Sequence, residues 1–287
     1  GAKHLASNNI SQGSAYVFVR SSNTWTQQQK LTASDGASND YFGSSIFVSI
    51  DTIVVGAYSD DNGSNTDQGS AYVFVRSSNT WTQQQKLTAS DGASSDYFGS
   101  SVSISIDTIV VGSYYDTVGS NSSQGSAYVF VRSNNTWTQQ QKITASDGTS
   151  YDYFGYSVSI SGDTIAVGAY RDTISSNSYQ GSAYVFVRSN NTWTQQQQIT
   201  ASDGASSDYF GYSVSVSGDS LAIGAYYDDV GINNDQGSAY LFTRTGSSWS
   251  LLRKITASDG DLSDYFGNAV AVSGNTLVTG IQADDIA

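Results

Sequence analysis

Ten aspartates form five pairs inside a recurring Ser-Asp-Gly-x-x-x-Asp pattern, and the pattern returns every 56 residues. Paired carboxylates can bind a cation such as Ca²⁺ or, in a suitable geometry, hydrolyse a glycosidic bond. A catalytic centre needs one asymmetric set of groups, so five copies favour cation sites, or turns in which Asp bonds its own backbone. The candidate metal ligands are Asp35, Asp40, Asp91, Asp96, Asp147, Asp152, Asp203, Asp208, Asp259 and Asp264.

Other residue types that carry out catalysis are scarce. The only His is His4, there is no Cys, and every one of the 25 acidic residues is Asp. Serine is plentiful, but the repeat places no base beside it, as a Ser-His-Asp arrangement would require. The composition therefore predicts that the protein is not an enzyme.

The whole chain consists of five copies of one 56-residue repeat. Its tryptophans stand at 25, 81, 137, 193 and 249, and Tyr-Phe-Gly triplets start at 41, 97, 153, 209 and 265, without insertion or deletion. Repetition of this length indicates a solenoid, a propeller or another array. We expect residues 1–287 to form a single domain.

Within each repeat the apolar residues alternate with polar ones, and β-branched and aromatic residues dominate, which predicts strands rather than helices. In the third repeat we predict strand A at about Tyr156–Ser161, strand B at Thr164–Tyr170, strand C at Ser182–Arg188 and strand D at Thr192–Thr200. Gly162-Asp163 predicts a two-residue hairpin turn between A and B.

Strands B and C are apolar on both faces, so each sheet must be covered on both sides. Four-stranded units arranged radially supply that cover in a β-propeller; a β-solenoid is the alternative, but it has no use for tight Gly-Asp hairpins. The chain begins just before a strand C (Gly13–Arg20) and ends just after a strand B (Thr276–Gln282). We therefore predict an all-β fold, a five-bladed β-propeller of four-stranded antiparallel blades. One blade is closed by both termini, and the repeats are circularly permuted relative to the blades.

The stretch YFG…SVSISGDTIAVGAY resembles the FG-GAP repeat of integrin α-subunit propellers and their bacterial relatives, and it occurs five times. Phe154-Gly155 corresponds to the FG and Gly168-Ala169 to the GA of that motif. The resemblance implies a propeller. It also implies a role of the kind found in this family, which includes adhesion receptors, lectins and surface proteins.

Two departures from the family pattern bear on function. Tyrosine stands where the motif has Pro, at Tyr58, Tyr114, Tyr170 and Tyr226. Family members that bind calcium have an Asp/Asn/Gly-rich loop between strands A and B, which here has shrunk to pairs such as Ile50-Asp51. Ca²⁺ normally takes six to eight oxygen ligands. The calcium site of the family is therefore not expected in this loop.

The acidic charge is expected on one face of the propeller. The D-to-A and B-to-C loops emerge together and carry 21 of the 25 aspartates, Asp284 and Asp285 among them. A net charge of −13 argues against nucleic acid and anionic membranes as partners. No apolar run reaches the roughly 18 residues of a spanning helix, so membrane insertion is not expected.

Aromatic residues are the candidate contacts for a sugar. A repeated Trp offers a face on which a sugar ring can stack, but the favoured interpretation is that it fills the gap between blades at the outer rim, where large side chains are needed. Tyrosines next to Phe-Gly are expected to line the mouth of the axial channel. The candidate ligand-binding residues are Tyr97, Tyr153, Tyr209, Trp25, Trp81, Trp137, Trp193 and Trp249.

Together these features predict a non-enzymatic, monomeric, extracellular or cell-surface module for binding or adhesion. Five equivalent loop sets on one acidic face would engage cations, with Ca²⁺ as the candidate cofactor. They would also engage glycans or other repetitive ligands with avidity. The alternative is a structural protein, or an idealised repeat propeller, without a dedicated ligand.

Overall fold

The computed structural model describes residues 10–283, and every regular element within that range is a β-strand. His4, Asp284 and Asp285 lie outside the described range. The strands are β1 (Ala15–Ser21), β2 (Thr24–Leu31), β3 (Ser45–Ser49), β4 (Thr52–Ala57), β5 (Ser70–Ser77), β6 (Thr80–Leu87), β7 (Ser101–Ser105), β8 (Thr108–Ser113), β9 (Ser126–Ser133), β10 (Thr136–Ile143), β11 (Ser157–Ser161), β12 (Thr164–Ala169), β13 (Ser182–Ser189), β14 (Thr192–Ile199), β15 (Phe210–Ser217), β16 (Ser220–Ala225), β17 (Ser238–Thr245), β18 (Ser248–Ile255), β19 (Ala269–Ser273) and β20 (Thr276–Gly280).

Most of the strands form four antiparallel meanders of four, which we number blades I (β3–β6), II (β7–β10), III (β11–β14) and IV (β15–β18). The first strands of successive blades contact one another, so the blades lie side by side around their inner strands. The predicted fold class is confirmed: the chain is all-β, with the four-stranded antiparallel blades of a propeller.

Both halves of the fifth blade are present at the two ends of the chain. Strands β1–β2 form its outer half and β19–β20 its inner half, and in the described residues they are separate two-stranded sheets. The register that joins β4 to β5 pairs Val54 with Val73. Val278 and Val17 occupy the same repeat positions as Val54 and Val73, so the same register would place Val278 opposite Val17. Val278 is 63% exposed and Phe18 52%. These side chains mark the surface that joining the two halves would cover.

Tight turns between the first two strands of each blade have one residue with a positive φ. Gly162 (φ 57°) and Gly218 (φ 58°) fill that position in blades III and IV, as the sequence predicts. In blades I and II the same position holds Ile50 (φ 44°) and Ile106 (φ 56°). A left-handed conformation costs an ordinary L-residue about 1–2 kcal/mol, and for a β-branched residue it is a genuine outlier.

Two motif glycines meet at each boundary between blades. A Cβ on Gly168 would lie 1.9 Å from the carbonyl oxygen of Gly211, and Gly211 itself has φ +89°. The Ser157 hydroxyl donates a hydrogen bond to the same carbonyl at 2.9 Å. The FG and GA glycines are therefore required because the backbones of neighbouring blades come into direct contact.

The hydrophobic core consists of layers between blades. Between blades II and III, side chains from both sheets interleave around Phe154, which is fully buried and makes edge contacts with Tyr184 and Phe186. Equivalent layers lie between blades I and II, between III and IV, and between β1–β2 and blade I. No blade has a core of its own.

A β-bulge in the outer strand pair turns two glutamines toward the next blade. The register between β13 and β14 shifts so that Gln196 has no partner of its own, and a bulge lets consecutive side chains point to the same side. Gln196 accepts a hydrogen bond from the Trp249 indole at 3.2 Å. Gln197 accepts from the Trp249 backbone N–H at 2.8 Å and donates to its carbonyl at 2.9 Å.

We call this three-bond contact the glutamine clamp. It joins Gln28-Gln29 to Trp81, Gln84-Gln85 to Trp137 and Gln140-Gln141 to Trp193 in the same way. In β18 the equivalent residues are Leu252 and Arg253, neither of which can accept a hydrogen bond through its side chain.

Replacing Gln141 with Leu should destabilise the protein by about 2 kcal/mol, because the Trp193 N–H and carbonyl lose partners at a partly buried boundary. Urea unfolding measures the change. Gln27→Leu, at an exposed position of β2, is the matched control and should change the free energy of unfolding by less than about 0.5 kcal/mol. Equal effects of the two substitutions would contradict the clamp.

Candidate ligand-binding face

Thirteen tyrosines form one continuous cluster where the loops leave the inner strands. We call it the tyrosine patch, and successive rings lie within about 6 Å of each other from blade I to β19–β20. Its members are Tyr41, Tyr58, Tyr97, Tyr114, Tyr115, Tyr153, Tyr156, Tyr170, Tyr209, Tyr212, Tyr226, Tyr227 and Tyr265.

The predicted tyrosines belong to this patch. Tyr97, Tyr153 and Tyr209 have left-handed backbones, with φ of 55°, 59° and 56°. Such strain in bulky residues persists only where the surrounding structure enforces it, and it is common in ligand-binding regions. Tyr97 and Tyr209 are half-buried, whereas Tyr153 is buried and offers less surface to a ligand.

A cavity of about 350 Å³ opens within the patch. Its lining is Ser44, Tyr58, Ser100, Tyr114 and Tyr156. The position of Ser44 and Ser100 is tyrosine in the next two repeats, and there the two rings, Tyr156 and Tyr212, lie 4.9 Å apart. The two serines therefore create the cavity by omitting two rings.

The chemistry of the cavity is aromatic and neutral. Burial raises the pKa of Tyr58, Tyr114 and Tyr156, so their hydroxyls stay protonated at physiological pH. Such rings offer apolar faces together with hydroxyl donors. Aromatic faces and hydroxyls are the groups that suit the apolar side and the polar edge of a sugar ring.

One cation lies in the patch. The Arg171 guanidinium stands 4.7 Å from the centre of the Tyr153 ring and 5.6 Å from those of Tyr170 and Tyr179. Its NH1 group donates to the Tyr153 hydroxyl at 3.3 Å, whereas the buried Nε has no hydrogen-bond partner in the described structure. Arg171 therefore makes blade III chemically different from its neighbours.

The predicted metal ligands have other partners. In blade I the Lys86 ammonium lies 2.7 Å from Asp35 and 2.6 Å from Asp60, and the Tyr72 hydroxyl also bonds both carboxylates. Asp40 instead accepts a hydrogen bond from the Ala37 N–H at 2.5 Å. Blades II and IV repeat the lysine contacts through Lys142 and Lys254.

In blades I, II and IV a lysine ammonium therefore already pairs with the first aspartate of each predicted metal-binding pair. In residues 10–283 no three acidic or histidine side chains cluster in a way that could hold a metal ion. Asp259 and Asp264 share the loop geometry, in which Asp264 accepts from the Asp261 N–H. Calcium binding at the aspartate loops stays a prediction.

Blade III lacks the lysine of this network. Gln198 replaces it and donates to Asp172 at 3.2 Å and to the Tyr184 hydroxyl at 3.0 Å. Burial raises the pKa of Asp172, against hydrogen bonds from Ser182 and Tyr184. This buried carboxylate therefore has no cation to offset its desolvation.

Four of the five tryptophans are packing residues. Trp81, Trp137, Trp193 and Trp249 are buried in the glutamine clamps between blades, which is the packing role favoured from the sequence. Trp25 alone has an open ring, 66% exposed, on the outer half of the fifth blade.

The serines and Arg171 were not among the residues that the sequence predicts. A signal for them exists in the positions where the repeats disagree: Ser44, Ser100, Tyr156, Tyr212 and Asn268 occupy one such position. Arg171 occupies another, where the neighbouring repeats have Tyr115 and Tyr227.

Replacing Gln198 with Lys should raise the free energy of unfolding by up to about 1 kcal/mol, because the ammonium would lie between Asp147 and Asp172 as it does in the other blades. Urea unfolding at low and high salt measures the gain, which salt should reduce. The reverse change in blade II, Lys142→Gln, is the matched control and should destabilise. A neutral or harmful Gln198→Lys would contradict this account of the network.

The protein should be more stable at mildly acidic than at neutral pH. Burial, against a backbone hydrogen bond, raises the pKa of Asp40, Asp96 and Asp152 from 3.8 to about 6 and that of Asp208 to about 7. These groups bind their protons at higher pH in the folded state than in the unfolded chain. Stability should therefore rise as pH falls from about 7 towards 4.

Three other carboxylates set the acid limit of that rise. Burial alone would raise the pKa of Asp35, Asp91 and Asp203, but bonds from lysine and tyrosine outweigh it and lower the pKa, so stability should fall again below about pH 4. Thermal unfolding between pH 3 and 8 tests both the rise and the fall in stability. Asp96→Asn should make the melting temperature depend less on pH between about 4 and 7. A melting temperature that is highest at pH 7–8 would be the contrary result.

Comparison with known proteins agrees with this architecture. The family model for the FG-GAP repeat matches residues 25–74, 81–130, 137–186, 193–242 and 249–287. No curated protein matches the chain. In the described part of the chain no helix is long and apolar enough to cross a membrane. With matches in all five repeats that cover most of its length, the chain belongs to the FG-GAP repeat family.

Proposed function

We propose that the chain is a non-enzymatic binding module of the cell surface or extracellular space, and that the cavity of the tyrosine patch binds a sugar ring of a glycan. The observation that supports this most directly is the cavity of about 350 Å³ between tyrosine rings, bordered by two serines. Pockets for small ligands start at about 300 Å³ and combine apolar walls with a few polar groups.

The ligand in this proposal is neutral and cyclic. Tyr58, Tyr114 and Tyr156 provide ring faces for stacking, and the serine hydroxyls provide polar contacts at the rim. The Ser44 and Ser100 hydroxyls also bond the carbonyls of Gly56 and Gly112 at 3.3 Å, which fixes their orientation. Binding of this kind needs neither a cofactor nor a catalytic residue.

The acidic loops around the tyrosine patch are consistent with a monomeric adhesion module. The loops beside the patch carry most of the 25 aspartates of a chain with net charge −13, which disfavours nucleic acid. A glycan with repeated units would gain avidity by contacting the patch at more than one blade. The proposal for the cavity does not depend on calcium binding at the aspartate loops.

Ser100→Tyr tests the proposal, because it restores the ring that the next two repeats have and fills the cavity. We expect a glycan array to identify a ligand for the wild-type protein and calorimetry to show at least about a tenfold loss of affinity in the variant. Tyr151→Ser is the matched control, because Tyr151 is an exposed tyrosine outside the patch whose copies in the neighbouring repeats are Ser95 and Ser207, so the change should keep the cavity and the affinity.

Two results would contradict glycan binding at this site. One is an array without any ligand above background, which would favour the structural, ligand-free alternative. The other is a ligand whose affinity is unchanged by Ser100→Tyr, which would move the site elsewhere. Circular dichroism of both variants checks that the fold is intact.

A further inference from the structure

The face opposite the tyrosine patch, formed by the tight turns of the blades, has a groove between blades I and II. Its volume is about 430 Å³, larger than that of the tyrosine cavity. It is lined by the turn Ser49–Thr52, by Val75, Arg76 and Gln84, and by Ile106, Arg132 and Asn135 of blade II. Neither the aspartate loops nor the tyrosines contribute to it.

Two isoleucines border this groove with strained backbones and solvent-exposed side chains. Ile50 and Ile106 are 87% and 72% exposed, and both have left-handed backbones at the position where three other repeats have Gly162, Gly218 and Gly274. Glycine would relieve the strain and remove apolar surface from water. Blades I and II instead keep a strained, exposed isoleucine on each side of one groove. Backbone strain of this kind is enriched at ligand-binding sites.

Arg76, in the same groove, lacks the ion pair that the equivalent arginines of blades II, III and IV form. The guanidinium groups of Arg132, Arg188 and Arg244 pair with Asp107, Asp163 and Asp219. The Arg76 Nε instead donates to the Ser78 carbonyl at 3.3 Å, and within residues 10–283 the Arg76 guanidinium has no ion pair to Asp51. Its terminal N–H groups are therefore available to a carboxylate in the groove.

Arg132 adds a second guanidinium, whose charge is already paired with Asp107. Its guanidinium pairs with Asp107 at 2.5 Å and lies 5.3 Å from the Trp137 ring, so its position is set by blade II. A guanidinium recognises a planar carboxylate through two parallel hydrogen bonds. The groove thus combines a free guanidinium, a fixed one and two exposed branched apolar side chains.

We propose that this groove binds an acidic peptide segment in which a carboxylate side chain stands next to large apolar residues. The carboxylate would pair with Arg76, in the way that the aspartate of each turn pairs with arginine in the other blades. The apolar side chains would cover Ile50 and Ile106. Asp51 is the competitor within the chain, since it is the turn aspartate of blade I.

An NMR titration of the ¹⁵N- and methyl-labelled protein tests this proposal. The probe is the peptide acetyl-Ser-Leu-Asp-Leu-Ser-amide, and the signals are the Arg76 and Arg132 Nε–H groups and the Ile50 and Ile106 methyls. We expect saturable shifts confined to these groups. The same peptide with Asn for Asp, and a second with Ser for both Leu residues, should each bind at least about tenfold more weakly.

Four variants separate the contributions. Ile50→Gly with Ile106→Gly copies the other repeats, so it should fold at least as well as the wild type and lose about tenfold or more in affinity. Arg76→Gln should also lose about tenfold or more in affinity, whereas Asp51→Asn should bind the peptide more tightly. Arg244→Gln, outside the groove, is the matched control that should not change binding. Shifts absent up to 10 mM peptide, or unaltered in the glycine variant, would overturn the proposal.

This site and the glycan site fail independently. Ser100→Tyr lies on the other face and should leave peptide binding intact, whereas Arg76→Gln should leave glycan binding intact. A peptide that binds only through the tyrosine patch would shift Tyr signals in place of those of Arg76 and would refute this inference alone.

Discussion

A blade of this protein cannot be stable by itself, and the structure depends on that constraint. Strand β12 is buried along its whole length and β13 over its first five residues, so each sheet needs a neighbour on either side. The core layers between blades provide apolar cover, and the glutamine clamps add directed hydrogen bonds at the outer rim. The bulge that makes the clamp possible is repeated in every outer strand pair. Packing and polar contacts thus repeat with the same period as the sequence.

The sequence predicted this architecture because its signals are local and repeated. Alternation of apolar residues placed the strands of blade III within one or two residues of their observed bounds, and Gly162-Asp163 marked the turn. The bulge at Gln196 could not be foreseen, because strand register depends on pairing and the sequence letters there continue without interruption. Packing between blades was the favoured role of the tryptophans, although a ring at an outer rim can face either a blade or a sugar. Four of the five are buried in clamps, and Trp25 is exposed.

The candidate sites were harder to predict for a related reason. Sequence reasoning gave most weight to residues that recur, such as Asp35 and its copies, and in three blades the structure engages these with lysine and tyrosine. The cavity of the tyrosine patch, the contacts of Arg171 with tyrosine rings and the groove between blades I and II all lie where the repeats differ in sequence. Each difference is small: Ser100 for a tyrosine, Ile106 for a glycine, Gln198 for a lysine. In a repeat protein the common residues maintain the fold, and the deviations give each blade an individual surface.

The change from Gln-Gln to Leu252-Arg253 in β18 has a consequence for motion. Every boundary with a clamp has three directed bonds that must break together before the blades can separate. Within the described residues no such set links β18 to the outer half of the fifth blade, and the ring of Trp25, the equivalent tryptophan, is 66% exposed. Local opening should therefore begin at this end of the array, with amide protons of β1 and β2 exchanging with solvent well before those of blades II and III.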